Sequence, residues 1–211
     1  MEYYEQFKAT EASFKYLNII DFHRNHPEIP IIAVSCYLML VFIVPRFITE
    51  KNKFNLKPYF AGWNLFLSIF SALGAYNTVP HMYNALQEHG FVYTICHNPL
   101  EWYSAGASGF WLTLFIYSKL PELTDTVFLV LQNKKVIFLH WYHHCTVLLY
   151  CWHAYDTTIS AGLWFCVMNY SVHTVMYFYY FLMAVPLPNN VRKILRKIYA
   201  PLTTTIQVIL Y

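Results

Sequence analysis

The sequence predicts an all-α chain that crosses a membrane several times. Hydrophobic residues make up 57% of the 211 positions and charged ones only 12%, with a mean hydropathy of +0.34. Apolar runs recur at lengths suited to a bilayer, which takes about 20 residues of helix to cross. Lys and Arg, moreover, collect in alternate connections between those runs. Aromatic residues are frequent, with 19 Tyr, 17 Phe and 6 Trp, which suits interfacial belts and a wide apolar cavity better than a tightly packed Leu-Val core.

Each element can be justified in chain order. Residues 1–28 carry a net charge of −2 and form a non-cytoplasmic tail. No basic stretch there leads into a short apolar one, so no cleavable signal peptide is expected and the first span must direct insertion. That span covers residues 29–44, between Pro30 and Pro45. Residues 46–57 hold Arg46, Lys51, Lys53 and Lys57 against Glu50 and are expected on the cytoplasmic side. A second span covers 60–83, and the connection 84–101 contains no Lys or Arg. The third span, 102–131, ends in the basic turn Gln132-Asn133-Lys134-Lys135, which returns the chain into a fourth, 136–152. After Asp156, a fifth span runs to about residue 185 and is followed by Arg192, Lys193, Arg196 and Lys197. A sixth begins near Pro201 and reaches Tyr211 after eleven residues, about half of a crossing. The expected organisation is the tail 1–28 and one helical membrane domain, 29–211, cut short in its sixth helix.

Five cysteines, at 36, 96, 145, 151 and 166, show no paired or metal-finger spacing. Four sit in apolar spans as small hydrophobes, and only Cys96 lies in a connection. The formal charge of +3 is too small to suggest nucleic acid and works as a topology signal.

Polar residues inside spans are costly and mark function. His140, His143 and His144 stand at i, i+3 and i+4 on one helical face. Lys119, Glu122 and Asp125 or Thr126 share a face of the third span, where Pro121 removes a helical hydrogen bond and predicts a kink. One lysine with two carboxylates leaves excess negative charge, for which a protonated carboxyl or the histidine face is the expected compensation. Asn169 and His173 stand at i, i+4 on the fifth span, with Met176 and Tyr177 on the next turn. Counted from the nearest basic cluster at about 1.5 Å per residue, His143, Asp125, Glu122, His173 and Gln207 lie about 12 to 18 Å deep. Four helices therefore place polar groups in one layer. The remaining histidines, 23, 26, 81, 89, 97 and 153, read as surface or interface residues.

Two chemistries suit the histidine face. One metal held by His140, His143 and His144 with an acid would make a lipid hydroxylase or desaturase, although a two-iron site needs more histidines than a single box supplies. Alternatively, a buried neutral imidazole attacks a thioester to give an acyl-imidazole, with no cofactor required. A non-catalytic membrane protein, such as a transporter, is the reading from a different class.

These residues occur in motifs that resemble those of the ELO family of very-long-chain fatty acid elongases, the 3-oxoacyl-CoA synthases of the endoplasmic reticulum. Lys119 to Thr126 is similar to its KxxExxDT, His140 to His144 to its HxxHH, Asn169 to Tyr177 to its NxxxHxxMY, and Thr204-x-x-Gln207 to the start of its TxxQxxQ, although Leu210 stands where the last Gln would be. The resemblance implies a seven-helix fold with the sixth helix incomplete here and the seventh missing. It implies condensation of malonyl-CoA with a long-chain fatty acyl-CoA, releasing CO2 and CoA. His143 would accept the acyl group, supported by His140 and His144. His173 would face the malonyl unit, and Asn169 a thioester or enolate oxygen. Lys119, Glu122, Asp125, Met176, Tyr177, Thr204 and Gln207 would line the site.

No cofactor or metal is implied beyond the two CoA substrates, whose phosphates Lys134, Lys135, Arg192, Lys193, Arg196 and Lys197 could meet. A multi-pass endoplasmic reticulum protein with a lumenal N-terminus is implied, with membrane lipid, the other enzymes of the elongation cycle and a second elongase chain, in a homo- or hetero-dimer, as candidate partners. The Trp141-Tyr142 pair and residues 146–150 resemble the branch acting on saturated and monounsaturated chains. A cysteine such as Cys96 pairs in this family with one beyond Tyr211, so that disulfide is not expected here. An inactive shortened form bound to full-length elongase is the alternative that the same resemblance leaves open.

Overall fold

In a computed structural model the backbone is described for residues 2–49, 51 and 53–210, and the side chains for most of these up to 199 and for 201. Ten α-helices occur among the described residues: α1 (Glu2–Ala12), α2 (Leu17–Asn25), α3 (Glu28–Phe42), α4 (Lys57–Cys96), α5 (Pro99–Trp102), α6 (Gly106–Glu122), α7 (Thr124–Leu131), α8 (Phe138–Asp156), α9 (Gly162–Ala184) and α10 (Asn189–Leu210). The only β pairing among them is an isolated bridge between Lys15 and Ala105.

The long helices carry their apolar residues on the outside. On α4, Tyr59, Phe66, Ile69, Leu73, Tyr76 and Tyr83 are exposed, at helical spacing along one stripe. The buried positions of the same helix include Ala61, Asn64, Ser68, Ser71, Gly74 and Thr78. A small and polar interior under an apolar exterior is the arrangement for contact with lipid. Glu28–Arg46 is also long and apolar enough to cross a membrane by composition alone. In the other long helices, polar and aromatic residues dilute that signal. The all-helical backbone with this exterior fits a membrane protein.

Small residues on α4 let α9 approach closely. At Gly74 a Cβ would lie 2.4 to 2.5 Å from ring atoms of Tyr170, whose hydroxyl is itself fixed on the Trp111 carbonyl at 2.9 Å. The connection expected at 84–101 is largely helical instead. Ala85, Leu86, Gln87 and Glu88 are good helix formers, and the absence of Lys and Arg bears on topology rather than on helix ends. The interruption falls at Gly90, whose φ of +80° and ψ of 173° suit glycine alone. Likewise α10 starts at Asn189 rather than near Pro201, because the basic run forms its first turns.

The third span is broken into α6 and α7 at Leu123, two residues after Pro121. The α7–α8 turn closes with Asn133 at φ 55°, Lys134 N–H donating to Leu129 O and Asn133 N–H to Val130 O. This is a Schellman turn. A second ends α8, with Thr158 at φ 51° and the pair Ile159 to Ala154 and Thr158 to Tyr155. The histidine-bearing helix is thus bracketed by two fixed turns.

The tail is folded onto the bundle, at the end opposite the basic connections. Glu11 is 1% exposed and accepts from Trp111 Nε1 at 2.6 Å and Lys8 Nζ at 2.6 Å, while the Tyr16 hydroxyl donates to the Tyr155 carbonyl. Expected at the surface, His23 is instead 1% exposed, stacked on Trp152 with ring centroids 3.8 Å apart and 3.2 Å from the Tyr117 hydroxyl. The reason is amphipathy: Ile20 and His23 lie on the face of α2 that meets α8.

Burial lowers the pKa of His23 from its ordinary 6.5 to about 4, partly countered by Asp156. The docked α2 therefore binds fewer protons than the undocked segment between those values. Its docking is fully favoured above pH 6.5 and weakens as pH falls toward 4. The hydrogen-exchange protection factors of residues 17–25, taken against the intrinsic rate at each pH, are expected to fall over that interval, and His23→Phe to flatten the dependence. Gly74→Ala, forced against a fixed ring, should lower stability by about 1–3 kcal/mol, read as a lower melting temperature.

Candidate active site

Four helices bring their polar residues together. On α6, Lys119 and Glu122 are 3% and 5% exposed. Lys119 Nζ donates to Glu122 Oε1 at 2.7 Å and Oε2 at 3.0 Å, and to Asn169 Oδ1 of α9 at 3.1 Å. Ser118 Oγ adds a 2.8 Å bond to Glu122 Oε1. His173 Nδ1 lies 4.0 Å from the same oxygen. An ammonium has three protons, and these three bonds use them all.

Asp125 must therefore be satisfied by other donors. Its Oδ1 accepts from Trp63 Nε1 and its Oδ2 from the Tyr177 hydroxyl, both at 2.7 Å. The Asp125 oxygens are thus met by two neutral donors on α4 and α9 and not by the histidine face. The break at Leu123 turns α7 so that Thr126 faces α8, where its Oγ1 lies 2.9 Å from His140 Nε2. The Tyr37 hydroxyl of α3 meets the same Oγ1 at 2.8 Å.

On α8 the His140 and His144 rings are 4.6 Å apart and the His143 and His144 rings 5.8 Å. His143 lies within electrostatic range of Lys119 and Glu122, and His173 within range of His143. His140, His143, His144, His173, Asn169, Lys119, Glu122 and Asp125 thus form one cluster. Met176 and Tyr177 are buried with Leu67 and pack against Trp63 beside it. Thr204 and Gln207 have side chains outside the described residues. No group of three His, Cys, Asp or Glu side chains able to hold one metal ion occurs among the described residues.

A cleft of about 390 Å³ opens beside the cluster between α6, α8 and α9. Asn169 lies in its wall, and the rest of the lining is apolar or weakly polar, including Phe115, Val147, Cys151, Phe165 and Val172. At the basic end a second cavity, of about 290 Å³, is lined by Lys57, Phe60, Gln132, Lys134, Tyr180 and Arg192. Among the described residues, Gln132 Nε2 and Arg192 Nε are buried there without a hydrogen-bond partner. Burial and the charge of Lys57 push the Lys134 pKa below its ordinary value, so an anion would relieve both.

Sequence reasoning missed Trp63, Tyr37, Ser118 and Lys57. A tryptophan or tyrosine in an apolar span looks like a belt residue, and spacing along one helix cannot report a partner on another. Lys57 was counted only as a topology charge. Trp63→Phe would leave one oxygen of a buried carboxylate without its donor, at a cost of about 1–3 kcal/mol. Thermal unfolding should register the loss, while Trp63→Phe combined with Asp125→Asn should lose less than the sum of the two single variants.

Comparison with known proteins shows the family. The chain matches the ELO, GNS1/SUR4, family over residues 22–211. It is 41% identical to Fatty acid elongase 3 of Trypanosoma cruzi over 221 residues, 94% of this chain and 72% of that protein. It is 44% identical to Fatty acid elongase 3 of Trypanosoma brucei brucei over 207 residues, 87% of this chain and 67% of that one. Over 182 residues it is 47% identical to a Very long chain fatty acid elongase 4 of Trypanosoma cruzi, covering 84% of this chain and 62% of the relative.

Proposed function

This chain belongs to the ELO family of fatty acid elongation proteins, and we propose that its cluster condenses malonyl-CoA with a long-chain fatty acyl-CoA to give 3-oxoacyl-CoA, CO2 and CoA. The observation that carries the reading is a set of imidazoles, half-buried on α8 and buried on α9, with a buried amide and ion pair beside an apolar cleft. Acyl chain and reacting carbonyl need just such neighbours.

A ring nitrogen of His143 attacks the acyl thioester. The C–S bond breaks as a C–N bond forms, and CoA leaves as its thiol with the imidazole proton. Malonyl-CoA then loses CO2, and the electron pair of the broken C–C bond passes into the enolate of the remaining two-carbon unit. That carbon attacks the acyl-imidazole carbonyl, the C–N bond breaks, and the departing imidazole nitrogen takes up a proton from water, which regenerates neutral His143. An acyl-imidazole splits one difficult transfer into two easier ones. His173 faces the malonyl unit, where its orientation depends on Tyr177, whose ring centroid is 5.1 Å away, and on Glu122. Lys119 fixes the orientation of the Asn169 amide through its Oδ1, and the amide faces a thioester or enolate oxygen.

The basic cavity suits the CoA phosphates, with Lys57, Lys134 and Arg192 supplying charge and the unpartnered Gln132 and Arg192 donors supplying hydrogen bonds. In this reading that end faces the cytoplasm, the tail helices face the lumen of the endoplasmic reticulum, and the product passes to the next enzymes of the elongation cycle. No cofactor enters the chemistry.

Purified protein incubated with palmitoyl-CoA tests the proposal by peptide mass spectrometry. An acyl-sized mass gain is expected on the peptide carrying His143 and should be lost in His143→Ala, together with malonyl-dependent CO2 release. Condensation that continues in His143→Ala would overturn it.

A further inference from the structure

We infer that Tyr37, on a span to which the sequence assigns no chemistry, is a positioning residue that sets the tautomer of His140 through Thr126. The three groups form a hydrogen-bonded chain across α3, α7 and α8: Tyr37 hydroxyl to Thr126 Oγ1 at 2.8 Å, and Thr126 Oγ1 to His140 Nε2 at 2.9 Å. Tyr37 is 3% exposed and Thr126 fully buried.

Proton counting selects a direction. The threonine hydroxyl has a single proton and must act as donor to one neighbour and acceptor from the other. If His140 donated from Nε2, Thr126 would donate to the Tyr37 oxygen. The phenol proton would then be left with no acceptor, because Thr126 is the sole hydrogen-bonding partner of that hydroxyl among the described residues. A buried O–H without an acceptor is disfavoured in a dry interior. In the opposite direction Tyr37 donates to Thr126, Thr126 donates to His140 Nε2, and both buried hydroxyl protons are used. His140 is then neutral with its proton on Nδ1.

The consequence is a division of labour on one helical face. With its Nε2 lone pair occupied, His140 acts as a hydrogen-bond donor through Nδ1–H and is removed as a competing nucleophile or base beside His143. The rest of α3 holds the chain in place. Phe42 packs edge-on against Trp141 at 5.3 Å, and Tyr37 and Val41 are buried with Cys145. Removing only the hydroxyl should therefore leave the helix seated.

Long-range proton–nitrogen NMR of protein labelled with 15N-imidazole histidine tests this, with His140 assigned by its loss in His140→Gln. The wild-type chain should give the Nδ1–H pattern for His140. Tyr37→Phe should move it toward the Nε2–H form, and Thr126→Ser should retain the original pattern. The effect on turnover rests on the condensation reading: kcat of Tyr37→Phe should fall on the order of tenfold with KM nearly unchanged, the worth of one oriented hydrogen bond. An Nε2–H pattern in the wild type would overturn the inference, as would a Tyr37→Phe variant with the tautomer unchanged. Because the tautomer is read without substrate, a chain that shows both expected patterns but condenses nothing counts against the proposed reaction and in favour of the positioning chain.

Discussion

The arrangement depends on one cation buried among acids in a membrane protein. Lys119 and Glu122 are almost completely removed from solvent, and a pair of charges so placed is tolerable only if its remaining donors and acceptors are filled. The three ammonium protons go to Glu122 and Asn169, which ties α6 to α9. With none left for Asp125, the second carboxylate recruits Trp63 from α4 and Tyr177 from α9. Two acids with a base that serves only the first thus fix the relative position of four helices, α4, α6, α7 and α9. The helix break at Leu123 serves the same end, since it lets neighbouring motif residues address different partners.

Much of the site could be read along single helices. His140, His143 and His144 declare a shared face by spacing alone, as do Asn169 and His173, and their equal depth brought four spans into one layer before any packing was known. What spacing could not supply was the partner across a helix interface. The sequence indicated an uncompensated negative charge near Asp125, but nothing in it distinguishes Trp63 from the other aromatic residues of the spans. Tyr37 was hidden for the same reason. His23 was misplaced because a histidine in a mixed-charge tail carries no mark of burial, whereas here it stacks on Trp152. Helix ends were the least legible feature: absence of positive charge between 84 and 101 indicates a side of the membrane and says nothing of where hydrogen bonding stops.

The two ends of the bundle differ in chemistry. One gathers Lys57, Lys134 and Arg192 around an open cavity with unfilled donors. The other is covered by the tail, whose Glu11, Tyr16 and His23 reach between the longer helices. An amphiphile with a charged head and an apolar chain meets matching surroundings only if its head lies at the basic end. The polar cluster borders the cleft that would take the chain, so the reacting carbonyl, at the junction of head and tail, belongs beside it.

The inverted pattern of α4 also bears on how freely this sequence can drift. Tyr59, Phe66, Ile69, Leu73 and Tyr76 face outward, where acyl tails conform to almost any apolar shape. Such positions can exchange one large hydrophobe for another at little cost, and their identity carries almost no information. Asn64, Ser68, Ser71, Gly74 and Thr78 meet neighbouring helices at fixed distances, and there the volume of a single methyl group decides whether a substitution is accepted. On α4 the modest inward residues are the constrained ones, and the bulky residues of the outer stripe are the ones free to vary.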